Sequence, residues 1–424
     1  MKIKVTQKSY DEVMSTKPKR HKRPLRPLLF WRALLWLVAL PDLWATRFKL
    51  KKIGNKKMQK RENYLFLMNH SSFIDLEIIV HILFPRAFNI VATADSFIGK
   101  SWLLRQIGCI PTKKFTTDLT LVRDLLYATQ KLHNSIVLFP EASYSFDGTA
   151  TPPPDYLGQF VKKLGIGVVM VRTYGAFARD PLYNNLQRRK VKVSATEEVI
   201  LTKEDVATLD EKQIQKILDA QFDFDNFSWQ KESKIKVDEP FRADYLNRVL
   251  YKCPHCKTEG KTEGKGDSLV CHACKKEYRL TEYGEMCAKD AETEISHIPA
   301  WYAWERECVR EEIERGEYRT ELDVDICMSI DTSKLYRVGE GRLVHDQNGF
   351  HLTGCDGKLD YVQRVRSCYS LYSDYNWYEI GDMVCIGNSR VLYYCFPRTK
   401  DDVVAKMRLA TEELYRVSAA NHTK

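Results

Sequence analysis

The sequence predicts an α/β protein in which a mixed, largely parallel sheet is flanked by helices, followed by a small cysteine-rich unit and a mostly-β carboxy-terminal domain. From residue 61 to about 200, short apolar runs alternate with helical patterns, which is typical of layered α/β folds. Two Cys-x-x-Cys pairs follow between residues 253 and 274. Beyond residue 335, short alternating runs are separated by Asp-Gly, Asn-Gly and Gly-Asn, which indicates antiparallel strands.

The positive charge is concentrated at the amino terminus. Residues 1–60 hold 17 Lys/Arg and 3 Asp/Glu, a net of +14, whereas the whole chain of 424 residues carries +10, so the remainder sums to −4. Such asymmetry indicates where a protein docks rather than a property of its whole surface. Because the remainder is net negative, nucleic acid is disfavoured as a partner.

The stretch PLLFWRALLWLVALPDLWA, residues 27–45, lies between two basic runs. It is nearly as long as the roughly 20 residues that cross a bilayer, but Arg32, Pro41 and Asp42 interrupt it. Our preferred interpretation is an amphipathic segment that lies in the membrane interface and is attracted to anionic lipid. A single transmembrane helix and a helix packed on the globular domain remain open alternatives. The segment lacks a clear cleavage site of a signal peptide.

The α/β region is assigned from the length and period of its apolar runs. Helical spacing is found in SFIDLEIIVHIL, SFIGKSWLLRQIG and DLTLVRDLLYATQKLHN. Ligand sites in such folds lie where parallel strands end and helices begin. The predicted strands are YLFLM (64–68), FNIVATA (88–94), SIVLFP (135–140), GVVMVRTYG (167–175) and KVKVSA (190–195).

A histidine and an aspartate lie at one such junction, in NHSSFID. We predict that Ser71 and Ser72 cap the following helix and that Asp75 reaches back to the imidazole of His70. A carboxylate on one ring nitrogen leaves the other nitrogen as a base, and a helix start supplies N–H groups for an anionic oxygen. These groups suit acyl transfer to a hydroxyl. A purely structural histidine is the competing interpretation.

Three motifs occur in the order and spacing of a known family. NHSSFID, GCIPTKK (108–114) and FPEASYSFDGT (139–149) resemble the motifs of glycerolipid acyltransferases of the lysophosphatidic acid acyltransferase (PlsC-like) type. The resemblance covers roughly residues 28–220, about half of the chain. The last strand of the family is similar to GVVMVRTYG, but the family proline is missing.

The resemblance implies a fold, a reaction and a set of site residues. It implies that His70 is the base, that Asp75 orients it, and that the donor is acyl-CoA or acyl carrier protein. The acceptor is the hydroxyl of a lysophospholipid, with 1-acylglycerol-3-phosphate favoured. The enzyme would act at the cytoplasmic face of a membrane, as a peripheral or monotopic protein. The implied substrate-binding residues are Phe139, Pro140, Glu141, Ala142, Ser143, Lys113 and Lys114.

The second motif departs from the family pattern FPEGTRS. The arginine that meets the acceptor phosphate is Tyr144 here, and the family glycine and threonine are Ala142 and Ser143. A phosphate would instead meet Lys113, Lys114 or Arg172, although lysine lacks the planar fork of arginine. The head group of the acceptor therefore stays open.

The Cys-x-x-Cys pairs predict a metal site. Cys253, Cys256, Cys271 and Cys274 have the spacing of a zinc ribbon with four thiolate ligands and no open position for catalysis. A structural zinc is expected, and contact of the ribbon with a partner is the alternative. His255 and His272 lie inside the pairs and are not expected to be ligands. The other eight of the twelve cysteines are scattered, which indicates free thiols in a reducing compartment.

The carboxy-terminal pattern of short strands and one last helix fits a small closed sheet capped by a helix; a pleckstrin-homology-like module is one such architecture.

A second function remains open, namely a zinc-ribbon binding or scaffold protein with an inactive acyltransferase-like domain. The predicted division is 1–60, a basic, Trp-rich membrane-docking segment; 61–235, the acyltransferase α/β domain; 236–290, a zinc ribbon with a flanking helix; 291–330, a helical connector; and 331–424, the β-rich domain with its closing helix.

Overall fold

The computed structural model describes residues 3–115, 118–151, 153–331, 334–399 and 401–420. It contains a seven-stranded mixed sheet, a four-stranded antiparallel sheet and an eight-stranded sheet near the carboxy terminus. The predicted fold class is therefore confirmed: a largely parallel sheet flanked by helices, a cysteine cluster and a sheet-rich end.

The amino-terminal segment contains β1 (Val5–Gln7), α1 (Tyr10–Met14) and α2 (Leu29–Ala45). Helix α1 begins with a capping box in which Ser9 and Glu12 exchange hydrogen bonds. Strand β1 pairs with a strand of the carboxy-terminal sheet, and Val13 is fully buried in the core of that region. The first residues are thus joined to the carboxy-terminal sheet.

Helix α2 is continuous through Pro41, which the sequence suggested as an interruption. Among the residues that the structure describes, no helix has the length and apolarity needed to cross a bilayer. Ala39 and Leu43 are buried against the α/β domain, while several other apolar side chains of α2 are exposed. The helix therefore packs on the domain with one face and leaves another face uncovered.

The main sheet has the strand order β2-β8-β7-β3-β6-β4-β5. Strands β7, β3, β6, β4 and β5 are mutually parallel, whereas β8 runs antiparallel to β7 and β2 runs parallel to β8. The strands are β2 (Lys49–Ile53), β3 (Tyr64–Met68), β4 (Phe88–Thr93), β5 (Cys109–Thr112), β6 (Ser135–Leu138), β7 (Gly167–Tyr174) and β8 (Ser194–Leu201).

Helices cover both faces of this sheet. In β3, Phe66 and Met68 face one hydrophobic core, whereas Leu65 and Leu67 face another, as expected for a strand that is buried on both sides. The helices of this region are α3 (Ile74–Leu83), α4 (Ser101–Gln106), α5 (Leu119–Gln130), α6 (Leu157–Leu164), α7 (Ala176–Arg179), α8 (Lys203–Thr208), α9 (Glu211–Asp219) and α10 (Asn226–Glu232).

One strand predicted from the sequence has the wrong bounds, and another strand was not predicted. The strand predicted at 190–195 begins only at Ser194 and continues to Leu201, because the residues that pair with β7 and β2 lie in that later stretch. The basic run that includes Lys49 lies in the predicted docking segment 1–60, and the structure adds that Lys49–Ile53 is an edge strand of the main sheet.

The cysteine-rich unit is a four-stranded antiparallel sheet followed by a long helix. The strands occur in the order β12-β11-β10-β9, and Cys271 ends one of them. The elements are β9 (Thr262–Lys265), β10 (Ser268–Cys271), β11 (Glu277–Leu280), β12 (Met286–Ala288) and α11 (Ile298–Glu314).

The carboxy-terminal sheet is a meander whose first strand, β13, pairs with its last strand, β19, in the order β16-β15-β14-β13-β19-β18-β17. Strands β16 and β17 stand at the two ends of this order and are not paired with each other among the described residues, so the sheet is open there rather than closed as predicted; one helix follows it, as predicted. The closing helix was predicted from Lys400, which lies outside the described residues. The elements are β13 (Arg319–Ser329), β14 (Leu335–Asp346), β15 (Gly349–Gly354), β16 (Leu359–Arg364), β17 (Tyr372–Trp377), β18 (Gly381–Gly387), β19 (Leu392–Pro397) and α12 (Val404–Ala420).

Candidate active site

His70 and Asp75 meet at the carboxyl edge of the parallel strands. His70 follows β3, and Asp75 lies in the first turn of α3. The imidazole Nδ1 is 3.3 Å from Asp75 Oδ2, and the carboxylate is fully buried while the side chain of His70 retains 22% of its exposure. With Nδ1–H donated to Asp75, Nε2 is left as a proton acceptor.

The turn between His70 and α3 is organised by Asp75 in a way that the sequence did not predict. Asp75 Oδ2 also accepts the backbone N–H groups of Ser71, at 2.6 Å, and Ser72, at 3.0 Å. The residue before α3 is Phe73, and no side chain caps it, so the two serines are not N-caps. These two amides are occupied by Asp75, so they are not available to an anionic oxygen.

Aromatic rings enclose the imidazole of His70. The ring of Phe139 stacks on it at 4.1 Å between centroids, and the ring of Tyr144 lies 4.4 Å away. Burial lowers the pKa of His70, and hydrogen bonding to Asp75 opposes this shift. The imidazole is therefore neutral at pH 7, as a base must be.

Glu141 lies beneath the site rather than in the cavity beside it. Its Oε1 accepts the backbone N–H of His70 at 2.9 Å, and its Oε2 accepts the backbone N–H of Thr151 at 2.8 Å. Burial raises the pKa of Glu141 to about 8, against the effect of these two amides. Glu141 thus supports the loop and the backbone of His70, and it is not among the residues of the cavity wall.

The rest of the second motif lines the cavity. Phe139, Pro140, Ala142 and Ser143 are all on its wall, with Tyr144 beside them. Ala142 occupies the family glycine position and has a φ of 57°, a left-handed conformation that glycine adopts without a steric cost. The buried Oγ of Ser143 has no hydrogen-bond partner among the described residues.

The two lysines of the middle motif have different surroundings. Lys113 Nζ lies at the cavity wall and donates to the backbone carbonyls of Ser389 and Ile330, so it connects the middle motif to the carboxy-terminal region. Lys114 Nζ lies 4.2 Å from the ring centroid of Tyr372 and lines the cavity. Arg172 donates to the carbonyl of Gln221 and is not on the cavity wall.

The cavity has a volume of about 1600 Å³ and passes around the carboxyl edge of the main sheet. One arm lies on the α3 and α4 face and is apolar, with Leu76, Val80 and Leu104 on its wall. The other arm lies on the face covered by α5 and α6, and Leu121 and Phe160 line it. His70 is also on the wall of this cavity.

The carboxy-terminal domain forms part of the cavity wall. The residues that it contributes were not predicted from the sequence. Strand β17 contributes Tyr372 and Asp374 to the wall, and the Tyr372 hydroxyl donates to Asp95 at 3.2 Å. Burial raises the pKa of Asp374 to about 7, and Lys114 opposes the shift. From α12, Arg408 Nη2 donates to Thr151 Oγ1 at 3.2 Å. No local pattern could have indicated these contacts, because the partners are remote in sequence.

A buried arginine links α2 to the site. Arg179 donates to Asp42 Oδ1 at 2.5 Å and to Asp180 Oδ2 at 3.0 Å. Burial raises the pKa of Asp180 to about 6, with Arg179 opposing and the nearby Asp75 adding to the shift. Asp42, which the sequence suggested as an interruption of α2, thus anchors this helix near the His70–Asp75 pair.

The four predicted metal ligands are brought together in the cysteine-rich unit. The sulfurs of Cys253, Cys256, Cys271 and Cys274 all lie within 4.8 Å of one another. The Cys253–Cys274 and Cys256–Cys271 sulfur pairs are 3.8 Å and 3.7 Å apart, too far for disulfides. A tetrahedral ion with bonds of about 2.3 Å to four sulfurs requires sulfur–sulfur distances of about 3.8 Å, so the cluster fits a metal ion.

The histidines inside the two cysteine pairs face away from this cluster. His255 contacts Glu294 at 2.9 Å, and His272 contacts Glu263 at 2.7 Å. Both side chains are more than half exposed. Neither is part of the four-sulfur group, as the sequence predicted.

Comparison with known proteins assigns the domain that carries His70 and Asp75. Residues 49–174 match the family model described as Acyltransferase. Among solved structures, the crystal structure of the 1-acyl-sn-glycerophosphate (LPA) acyltransferase PlsC from Thermotoga maritima is similar, with 18% identity, a TM-score of 0.35 and coverage of 45% of this chain and 76% of that chain. No curated protein sequence matches significantly. The family model covers less than half of the chain, and over residues 49–174 it confirms the predicted resemblance to acyltransferases.

We expect Glu141→Ala to lower the free energy of unfolding by about 3 kcal/mol, because two buried backbone amides would lose their acceptor. Urea denaturation followed by tryptophan fluorescence measures the change. Glu232→Ala, at an exposed position of α10, is the matched control and should stay within about 0.5 kcal/mol of the wild type. Equal midpoints for Glu141→Ala and the wild type would contradict the supporting role.

Proposed function

We propose that this protein transfers a fatty acyl group from an activated donor, acyl-CoA or acyl carrier protein, to a hydroxyl of a lysophospholipid. The observation that carries the proposal is the pairing of His70 with the buried Asp75 on the wall of a large, mostly apolar cavity. The acyltransferase assignment of residues 49–174 supports the same reaction class. An inactive domain attached to a zinc-ribbon scaffold is the less supported alternative, because the pair keeps the geometry of a working base.

In the proposed reaction, Nε2 of His70 removes the proton of the acceptor hydroxyl as its oxygen attacks the thioester carbonyl. A carbon–oxygen bond forms and the carbon–sulfur bond breaks. The proton on His70 then passes to the departing thiolate, so an ester and a thiol are the products. Asp75 stabilises the imidazolium and holds the tautomer throughout, while Glu141 fixes the backbone that carries His70.

The acceptor would be recognised by Lys114 and Ser143. Lys114 is a cation on the cavity wall close enough to His70 to contribute to the lowering of its pKa. The Oγ of Ser143, which bonds no described group, is available to donate to an oxygen of the substrate. A lysophospholipid with a phosphate, with 1-acylglycerol-3-phosphate favoured, is consistent with both groups, and Tyr144 offers a hydroxyl where the family has an arginine.

We further propose that the protein docks on the cytoplasmic face of a membrane as a peripheral or monotopic enzyme. The exposed apolar side chains of α2 include Phe30, Leu37 and Val38, each more than half exposed, and Trp31 contacts Trp102 of α4 at 5.8 Å. Exposed apolar groups of this kind mark interaction surfaces. The basic residues before α2 are exposed and would attract anionic lipid.

The four-sulfur cluster would hold a structural zinc ion. All four positions of a tetrahedral ion are occupied by protein sulfurs, so the ion would stabilise the ribbon and take no part in acyl transfer. The ribbon lies against α11: Trp301 donates to the carbonyl of Lys252 at 2.9 Å, next to the first cysteine ligand. Loss of the ion would therefore loosen the support of this helix.

We expect His70→Ala to lower acyl transfer from labelled acyl-CoA to 1-acylglycerol-3-phosphate by about two to four orders of magnitude, because a general base is lost. His351→Ala, at an exposed position of β15, should retain full activity. In the wild type, kcat/KM should fall as pH decreases through the lowered pKa of His70, with a midpoint below 6.5. Full activity of His70→Ala would eliminate this base, and a midpoint above 6.5 would contradict the burial effect.

Replacing Leu37 and Val38 together by Asn should weaken binding to vesicles that contain 30% anionic lipid by about tenfold or more, since each side chain would lose the gain from entering lipid. Co-sedimentation measures the binding. Val362→Asn, at an exposed position of β16, is the control for an apolar side chain outside this surface. Unchanged sedimentation of the double variant would rule out docking through α2.

Elemental analysis should find one zinc ion per chain in freshly purified protein. Cys256→Ser should lose the zinc and melt at a lower temperature, because one of four thiolate ligands is removed and metal binding is coupled to folding. Cys287→Ser, at an exposed position outside the cluster, should keep both the metal and the melting temperature. Wild-type protein that contains no zinc would end the metal interpretation.

A further inference from the structure

The second arm of the cavity, on the α5 and α6 face, has walls from two domains and no role in the reaction described so far. Its aromatic wall is built around Tyr369 of the carboxy-terminal domain. The rings of Phe115, Tyr156 and Tyr415 lie 5.2, 6.4 and 6.5 Å from the ring of Tyr369. Acyltransferase residues and carboxy-terminal residues thus form one aromatic cluster at the wall of this arm.

Cations surround the same arm. Lys163 on α6 and Arg366, in the turn after β16, are exposed side chains on its rim. Lys162 also lines the arm, but its Nζ donates to the carbonyls of Val206, Ala207 and Leu209 and is therefore held in place. Glu211 and Asp118 are the carboxylates on this side of the cavity. Lys163 and Arg366 are thus exposed cations on this rim that an anionic ligand could meet.

The two arms differ in what they can admit. The first arm is apolar and lies next to the exposed face of α2, since Leu35 of α2 is on its wall. A lipid acceptor would reach His70 from that side. The second arm lies on the opposite face of the sheet, where aromatic and cationic side chains line it beside apolar side chains of α5 and α6. A water-soluble donor with phosphate groups is complementary to such walls.

We propose that the second arm binds the phosphopantetheine part of the acyl donor, with Arg366 and Lys163 contacting its phosphate and the cluster around Tyr369 contacting its apolar atoms. This inference rests on the proposed acyl transfer and adds the place and the class of the donor. The carboxy-terminal domain is then a part of the donor site, because Arg366, Tyr369 and Tyr415 all belong to it. The phosphopantetheine group is common to coenzyme A and to acyl carrier protein.

The test compares the double variant Arg366→Gln/Lys163→Gln with the wild type, using acyl-CoA, acyl carrier protein and acyl-pantetheine, which has no phosphate. We expect the KM for a phosphate-bearing donor to rise at least tenfold, while kcat, the KM for the acceptor and the KM for acyl-pantetheine are unchanged. Arg364→Gln is the matched control, because Arg364 is exposed two residues away and does not line the cavity. A rise for acyl-CoA alone, for acyl carrier protein alone or for both supports the site and identifies the carrier.

A second measurement separates this inference from the reaction itself. Binding of a thioether analogue of acyl-CoA, which cannot react, should weaken at least tenfold in the double variant and remain unchanged in Arg364→Gln. A donor KM within twofold of the wild type for every phosphate-bearing donor, or analogue binding equal to the wild type, overturns the site. Tight analogue binding that depends on Arg366 and Lys163, in a protein that transfers no acyl group, would instead refute the proposed function and retain the site.

Discussion

The structure around the candidate site depends on one buried carboxylate. Asp75 is fully buried, and its two oxygens accept hydrogen bonds from Ser71, Ser72, His70 and the Thr173 hydroxyl. Burying a carboxylate without hydrogen-bond donors costs free energy. The need to satisfy Asp75 therefore holds the turn, the ring of His70 and β7 in one arrangement. Glu141 acts in the same way, because its carboxyl oxygens accept hydrogen bonds from the backbone N–H groups of two separate segments. The reactive ring is thus fixed by satisfied buried acids rather than by packing alone.

The second constraint is the carboxy-terminal domain, which lies over the carboxyl edge of the parallel strands. Such an edge is the usual ligand site of an open α/β sheet and is often left to short loops. Here β17 and the turn after β16 form a wall of the cavity, Lys113 bonds to carbonyls of that domain, and Arg408 reaches the loop that contains Thr151. His70 and Asp75 come from the acyltransferase domain, whereas much of the cavity wall comes from the carboxy-terminal domain. The amino-terminal strand β1 adds to the same attachment by pairing with β14.

The two faces of the main sheet are chemically different, which suits a reaction between a lipid and a water-soluble donor. On one face α2 presents exposed apolar side chains next to an apolar arm of the cavity; on the other face the cavity is bordered by aromatic and charged groups. Helix α2 is also joined to the reactive centre through Asp42, Arg179 and Asp180. These ion pairs are largely buried. They would therefore connect a membrane contact of α2 directly to residues adjacent to Asp75.

The sequence alone determined the elements that depend on local pattern: the strands at 64–68, 88–93 and 135–138, the positions of His70 and Asp75 at a strand end, and the four clustered cysteines. Apolar periodicity and motif spacing depend only on residues that are close together in the sequence, so they can be recognised before the tertiary structure is known. Only the tertiary structure decided that Ser71 and Ser72 give their amides to Asp75, that Glu141 supports His70 from below, and that Lys113 bonds to Ser389, which is 276 residues away. It also decided that the first residues join the last sheet and that Lys49–Ile53 is a strand. Each of these depends on partners brought together by sheet order and domain packing, and no local window of sequence contains that information.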